Sequence, residues 1–194
     1  MARSKAHVEH VLSHTPLQGY WLHRVWDRSG SLVDPGKWKR NLIVSKVGSL
    51  LAWFMHGGVG APSGIQYYAL GSGLTSWDAA PAYPAATDTQ LETELVDGGG
   101  LATSRKVPTI TYLDASLAVV AGPTNILNLS VIYDYNELNS NTPPAQNVWR
   151  EFGVFGGDAS ATTPNSGYMI NHVVTGAFTK TAQLKVQRTV RFTF

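Results

Sequence analysis

Polar and apolar residues alternate most regularly at the end of the chain. Leu184, Val186, Val190, Phe192 and Phe194 share one side with Arg188, while Lys185, Gln187, Thr189, Arg191 and Thr193 share the other. A period of two marks a strand with one covered face. Two phenylalanines at the terminus predict that this strand pairs inside a sheet rather than fraying. The same period runs through 126–135, where Leu127, Leu129, Val131, Tyr133 and Tyr135 alternate with Asn128, Ser130, Ile132 and Asp134. In 18–28 neither side is purely polar, because Tyr20, Leu22, Arg24 and Trp26 alternate with Trp21, His23, Val25 and Asp27. That strand is expected to be covered on both faces.

Shorter β-rich runs occupy 65–70, 105–113, 117–120, 149–155 and 168–174, bounded by glycine, proline and polar turn residues. Pro108 lies within one of them and predicts an edge position or a bulge, since proline cannot donate to the ladder. One segment has a helical period instead. After Ser45, a plausible N-cap, the apolar stripe Val47, Leu50, Leu51, Phe54 and Met55 leads to the stop Gly57-Gly58. A second, shorter helical turn is predicted beyond Pro81 and Pro84, capped by Thr87 or Asp88. It would place Leu91 and Leu95 on one face, with Glu92 and Glu94 as solvent groups near its positive end.

Eight or nine strands with one convincing helix and no internal repeat predict a mainly β protein. The expected architecture is an antiparallel β-sandwich, with a jelly roll as one form of it, one packed helix and long loops. Residues 1–17 read as an N-terminal arm and 18–194 as a single β-sandwich domain, since 194 residues make one well-buried core.

Composition changes this picture in one respect. Only 14% of residues are charged, against about 25% in an ordinary soluble protein. Either subunit contacts hide neutral surface, or the exposed faces rely on Thr, Ser and Asn. Charge is also uneven: residues 1–46 hold eight Lys/Arg and three acids, 47–160 three and ten, and 161–194 four and none. Either the basic ends fold back beside the acidic middle within one subunit, or a basic arm reaches an acidic neighbour and fixes the register of an assembly. The basic residues are scattered rather than run together, which argues against nucleic acid. Without cysteine, disulfides and thiolate chemistry are excluded. No apolar run approaches the roughly 20 residues of a membrane helix, so no membrane partner is expected.

Three pieces of the chain resemble structural proteins of tailed-bacteriophage virions. They are "NLIVSKVGSLLAWFMHG" at 41–57, "IQYYALGSG" followed by "TDTQLETEL" between 65 and 95, and "REFGVFGGDASATTPNSGYMINHVV" at 150–174. The resemblance implies a non-enzymatic virion part, a head-decoration or a tail or baseplate protein. Its partners would be copies of itself and other virion proteins, assembled in the host cytoplasm, with no catalytic residues and no cofactor.

Candidate chemistry is sparse. His7, His10 and His14 share a helical face, but the outer two lie about 10 Å apart at 1.5 Å per residue, too far to chelate one metal ion. Ser72 lies in Gly71-Ser72-Gly73 without the Gly-x-Ser-x-Gly elbow, and Gly98-Gly99-Gly100 lacks a following Gly-Lys-Ser/Thr. Asp114 with Asp134, or Asp27 with Glu151, are the carboxylates that could pair across strands for glycoside hydrolysis. Six tryptophans and eight tyrosines are a generous supply. Trp77 and Tyr83, in the wide loop after 65–73, are the best placed to stack on a sugar, the alternative being that they pack loop against sheet or subunit against subunit. An adhesin that binds a host-surface glycan is therefore the alternative function.

Overall fold

The computed structural model describes residues 17–45, 47–48, 51, 63–80, 82–96, 104–140 and 146–194. The fold is mainly β and antiparallel, in a sandwich-like arrangement. The described residues form ten strands, β1 (Gln18–Asp27), β2 (Leu32–Asp34), β3 (Lys39–Ile43), β4 (Ser63–Gly71), β5 (Thr109–Leu113), β6 (Val119–Val120), β7 (Ile126–Tyr133), β8 (Val148–Gly157), β9 (Tyr168–Thr179) and β10 (Leu184–Thr193). Their order is β4-β8-β9-β3-β1-β10-β7-β5-β6, with β2 attached to β1. The ends of this path return toward one another. Tyr68 in β4 and Lys106, just before β5, exchange backbone hydrogen bonds of 2.8 and 2.9 Å.

The clean alternation at the terminus becomes the central strand. β10 pairs with β1 along ten residues and with β7 along eight. Its apolar face joins Trp21, Val25, Leu129, Val131, Tyr133, Trp149, Phe152 and Val173 in one buried core. β1 is covered on its inner face by this core; on its other face Leu22 is buried but Arg24 is exposed, so the expected double cover is partial. Pro108 lies just before β5, whose outer neighbour is the two-residue β6.

β8 is buried from Trp149 to Gly157. A register shift between Trp149 and Glu151 lets Trp149, Phe152 and Val154 face the core. Glu151, Gly153 and Phe155 are left facing the other side. There a second small core of Val44, Ala69, Leu91, Phe155 and Met169 forms under a covering loop.

Two expectations need comment. Val47, Gly48 and Leu51 are helical, and the rest of the expected helix, residues 1–16 of the expected 1–17 arm with its three histidines, and Gly98-Gly99-Gly100 lie outside the described residues. The turn expected after Pro84 is not a helix. Its backbone is irregular or extended: the N–H groups of Glu92 and Thr93 donate to the Glu151 carboxylate and that of Leu95 to Leu70 O. Leu91 and Leu95 are buried, but against the sheet.

Candidate functional site

Segment 82–96 lies over the outer face of β8 and β9 and is fixed at several points along its length. Ser45 N–H donates to Ala86 O at 2.8 Å, Leu91 exchanges bonds with the Asn165 side chain, and Ser72 N–H donates to Thr93 O at 2.8 Å. Glu151 receives the N–H groups of Glu92 and Thr93 at 3.0 and 2.8 Å. The carboxylate fits because position 71, on the paired strand, has no side chain: a Cβ there would lie 2.5 Å from Glu151 Cγ.

His172, opposite Gly153 on β9, joins the loop to this carboxylate. Its Nδ1 lies 2.7 Å from Asp88 Oδ2 and its Nε2 2.9 Å from Glu151 Oε2. Both ring nitrogens face acceptors, which only an imidazolium satisfies fully. Burial opposes the charge, but the hydrogen bonds and negative charges of Glu151 and Asp88 outweigh it, and the His172 pKa is raised above its ordinary value. The order carboxylate, imidazole, carboxylate is linear. With the acids on opposite sides of the ring, the three groups do not converge on one ion, and no group of metal-ligating side chains forms among the described residues. What this arrangement does is hold the loop down.

Beside the loop lies an open cavity of about 500 Å³ whose wall includes Trp77, Tyr83, Thr87, Asp88, Gln90, Glu92 and His172. Trp77 reaches it from a 3₁₀ turn, Thr75–Asp78. Arg150 anchors that turn with a two-pronged pair to Asp78, both bonds 2.8 Å, and a third bond to Ser72 O. The Asp78 carboxyl is thereby held below its usual range by the hydrogen bond from Arg150 and its charge. Gly73, at φ +53°, lets the chain pass under the indole, since a Cβ there would lie 2.6 Å from Trp77 Cε3. The two aromatics singled out from the sequence therefore line one cavity, with unequal access: Trp77 is 9% exposed and Tyr83 96%.

Other candidates separate. Asp27 accepts bonds from Ser29 and Ser31 in the β1–β2 turn, and Asp114 from Ser116 and Ala118 in the β5–β6 turn. Asp134 binds the N–H of Tyr135, and Glu151 is committed to His172 and the loop. Neither proposed carboxylate pair has its members bonded to one another or to a shared partner. Glu94, expected in solvent, is buried. It pairs with Arg105 through bonds of 2.7 and 3.0 Å, and Asn165 N–H donates to it at 2.6 Å. Arg105 also donates to Ser160 O and Ser166 O, with the Phe155 ring 4.5 Å from its guanidinium carbon.

A second buried guanidinium forms no ion pair among the described residues. Arg188 lies 5.6 to 5.9 Å from the rings of Trp21, Trp149, Phe152 and Phe178, and its Nε and Nη1 lack hydrogen-bond partners. Burial lowers its pKa. It also helps keep His23 neutral, for burial first and then Arg188 and Lys39 depress that imidazole to about 3.

Sequence reasoning did not find the Asp88–His172–Glu151 clamp. The signal was Asn171-His172 inside the otherwise apolar run Met169 to Val174, but its partners lie 21 and 84 residues away. Comparison with protein-family models, with curated proteins and with solved structures gives no match.

Proposed function

We propose that this chain is a non-enzymatic structural subunit of a tailed-bacteriophage virion, serving in head decoration or in the tail or baseplate. It works through contacts with copies of itself and with other virion proteins after assembly in the host cytoplasm. The observation that carries this reading is an overhang at one end of the sheet. Register turns Ile110 to the side of Leu129 and Tyr112 to the side of Leu127, the core side, yet Ile110 is 41% exposed and Tyr112 is only half-buried. Val119, paired with Leu113, and Ile132, between core-facing Val131 and Tyr133, add exposed apolar surface on the opposite face of the same end of the sheet, flanked by Val107 and Leu117.

Apolar residues on the inner face of a sheet normally meet a second layer. Among the described residues the layer ends before the sheet does, and a neighbouring subunit would complete it. The low charge and the resemblance of 41–57, 65–95 and 150–174 to virion proteins support the same reading. The test is the mass of the purified chain against concentration by light scattering and sedimentation. Self-association that Ile110→Glu and Val119→Glu abolish, with the fold kept by circular dichroism, is the expected result. A monomer at all concentrations that binds no virion protein would remove the proposal.

A further inference from the structure

We infer that the cavity between Trp77 and Tyr83 is a saccharide site that takes neutral or amino sugars and rejects acidic ones. This goes beyond a role in assembly, which needs no ligand. At about 500 Å³ the cavity has the size of a small-molecule site, with room for one or two sugar rings. Its wall combines the two features a pyranose needs. Tyr83, almost wholly exposed, offers a ring face for the apolar side of the sugar, and Trp77 closes the inner end. Thr87, Asp88, Gln90 and Glu92 supply donors and acceptors for its hydroxyls.

Charge selectivity follows from how these groups are already engaged. The one cation among the described residues of the wall, His172, spends both ring N–H groups on Asp88 and Glu151 and has none left for an anion. Glu92 is exposed and its carboxylate has no ion pair among the described residues. Asp88 bonds Ala85 N–H and His172 through Oδ2 alone. The wall therefore carries more negative than positive charge and presents free acceptors. Hydroxyl and ammonium groups are attracted there, and a carboxylate or phosphate is repelled. The His172 clamp keeps the loop that carries Thr87 to Glu92 in place, so the site is built before any sugar arrives.

Ligand-observed NMR and calorimetry test this with methyl glycosides of glucose, galactose, mannose and N-acetylglucosamine, with glucosamine, and with glucuronic and sialic acids as the acidic arm. Saturation transfer to at least one neutral or amino sugar, and none to the acids, is the expected result. Tyr83→Ala should weaken that binding about five- to tenfold, and because the side chain stands in solvent its unfolding temperature should not move. Glu92→Gln should let the uronate bind, so that the ratio of hexose to uronate affinity falls toward one. No saturation transfer to any neutral or amino sugar at 10 mM, equal binding of uronate and hexose by the unmodified chain, or an unchanged affinity in Tyr83→Ala would each overturn the inference. These outcomes leave the self-association measurement untouched, so the two proposals fail separately.

Discussion

The buried Glu94–Arg105 pair makes the sharpest demand on the reasoning, because it joins three segments distant in sequence. Both side chains are wholly inaccessible. Glu94 lies in the segment that covers β8, Arg105 precedes β5, and the pair also receives or donates bonds to Asn165, Ser160 and Ser166. Replacing Glu94 with Gln keeps the shape but leaves the guanidinium without a counter-charge and turns an amide N–H₂ toward donors. Breaking a buried pair from one side costs about 3–5 kcal/mol, a large share of the roughly 5–15 kcal/mol that holds a domain together. At a urea dependence of about 2 kcal/mol per molar, the midpoint should fall by about 1.5–2.5 M. Buried Trp21, Trp77 and Trp149 report the transition by fluorescence.

The double variant Glu94→Leu with Arg105→Met removes both charges at once. It should be more stable than the sum of the single losses predicts, by about 2 kcal/mol or more. Recovery will be incomplete, because Ser160 O and Ser166 O lose their donor. If either single variant costs less than about 1 kcal/mol, or if the two losses simply add, the pair is not the junction described here.

Arg188→Met should raise stability by about 1–3 kcal/mol, because losing a buried charge that no described residue pairs, with its unbonded Nε and Nη1, outweighs the loss of contacts with four rings. Chemical denaturation decides it, and a loss above about 2 kcal/mol would show that the ring contacts dominate. Buried His172 and half-buried His23 set opposite pH limbs. His23 is depressed to about 3 in the fold, so on acidification below about 6.5 the unfolded chain takes up a proton that the fold refuses, and stability falls. His172 is raised, so its contribution is complete below about 6.5 and is lost as pH climbs through the folded value. Denaturation curves from pH 5 to 9 should show His172→Gln flattening the alkaline limb and His23→Leu the acid one, and limbs unchanged in these variants would contradict the assignments. Gly73→Ala should cost about 1–3 kcal/mol through strain at positive φ and displacement of Trp77, with altered tryptophan emission; an unchanged spectrum and midpoint would count against the close packing.

Much of the strand pattern was legible because burial in a sheet imposes a period that local sequence must obey. The runs at 126–135 and 184–194 showed it plainly, and Arg188 could be placed on the apolar face from spacing alone. The segment 87–95 misled for an equally physical reason. Leu91 and Leu95 are four apart, as in a helix, but here that spacing reflects two separate anchor points on a sheet. The carboxylate of Glu151 and the carbonyl of Leu70 outcompeted helical hydrogen bonds for the same N–H groups.

Local sequence was enough for the β class and for the absence of cysteine chemistry, and it put Trp77 and Tyr83 in one wide loop. Tertiary structure alone decided that those two share a cavity, that one is almost covered and the other free, and that Asp88, Glu151 and His172 form one clamp. Periodicity is a local property, written in neighbours two residues apart. Ion pairs join residues brought together by strand register and by a shift such as that beside Trp149. That register depends on the packing of every strand at once.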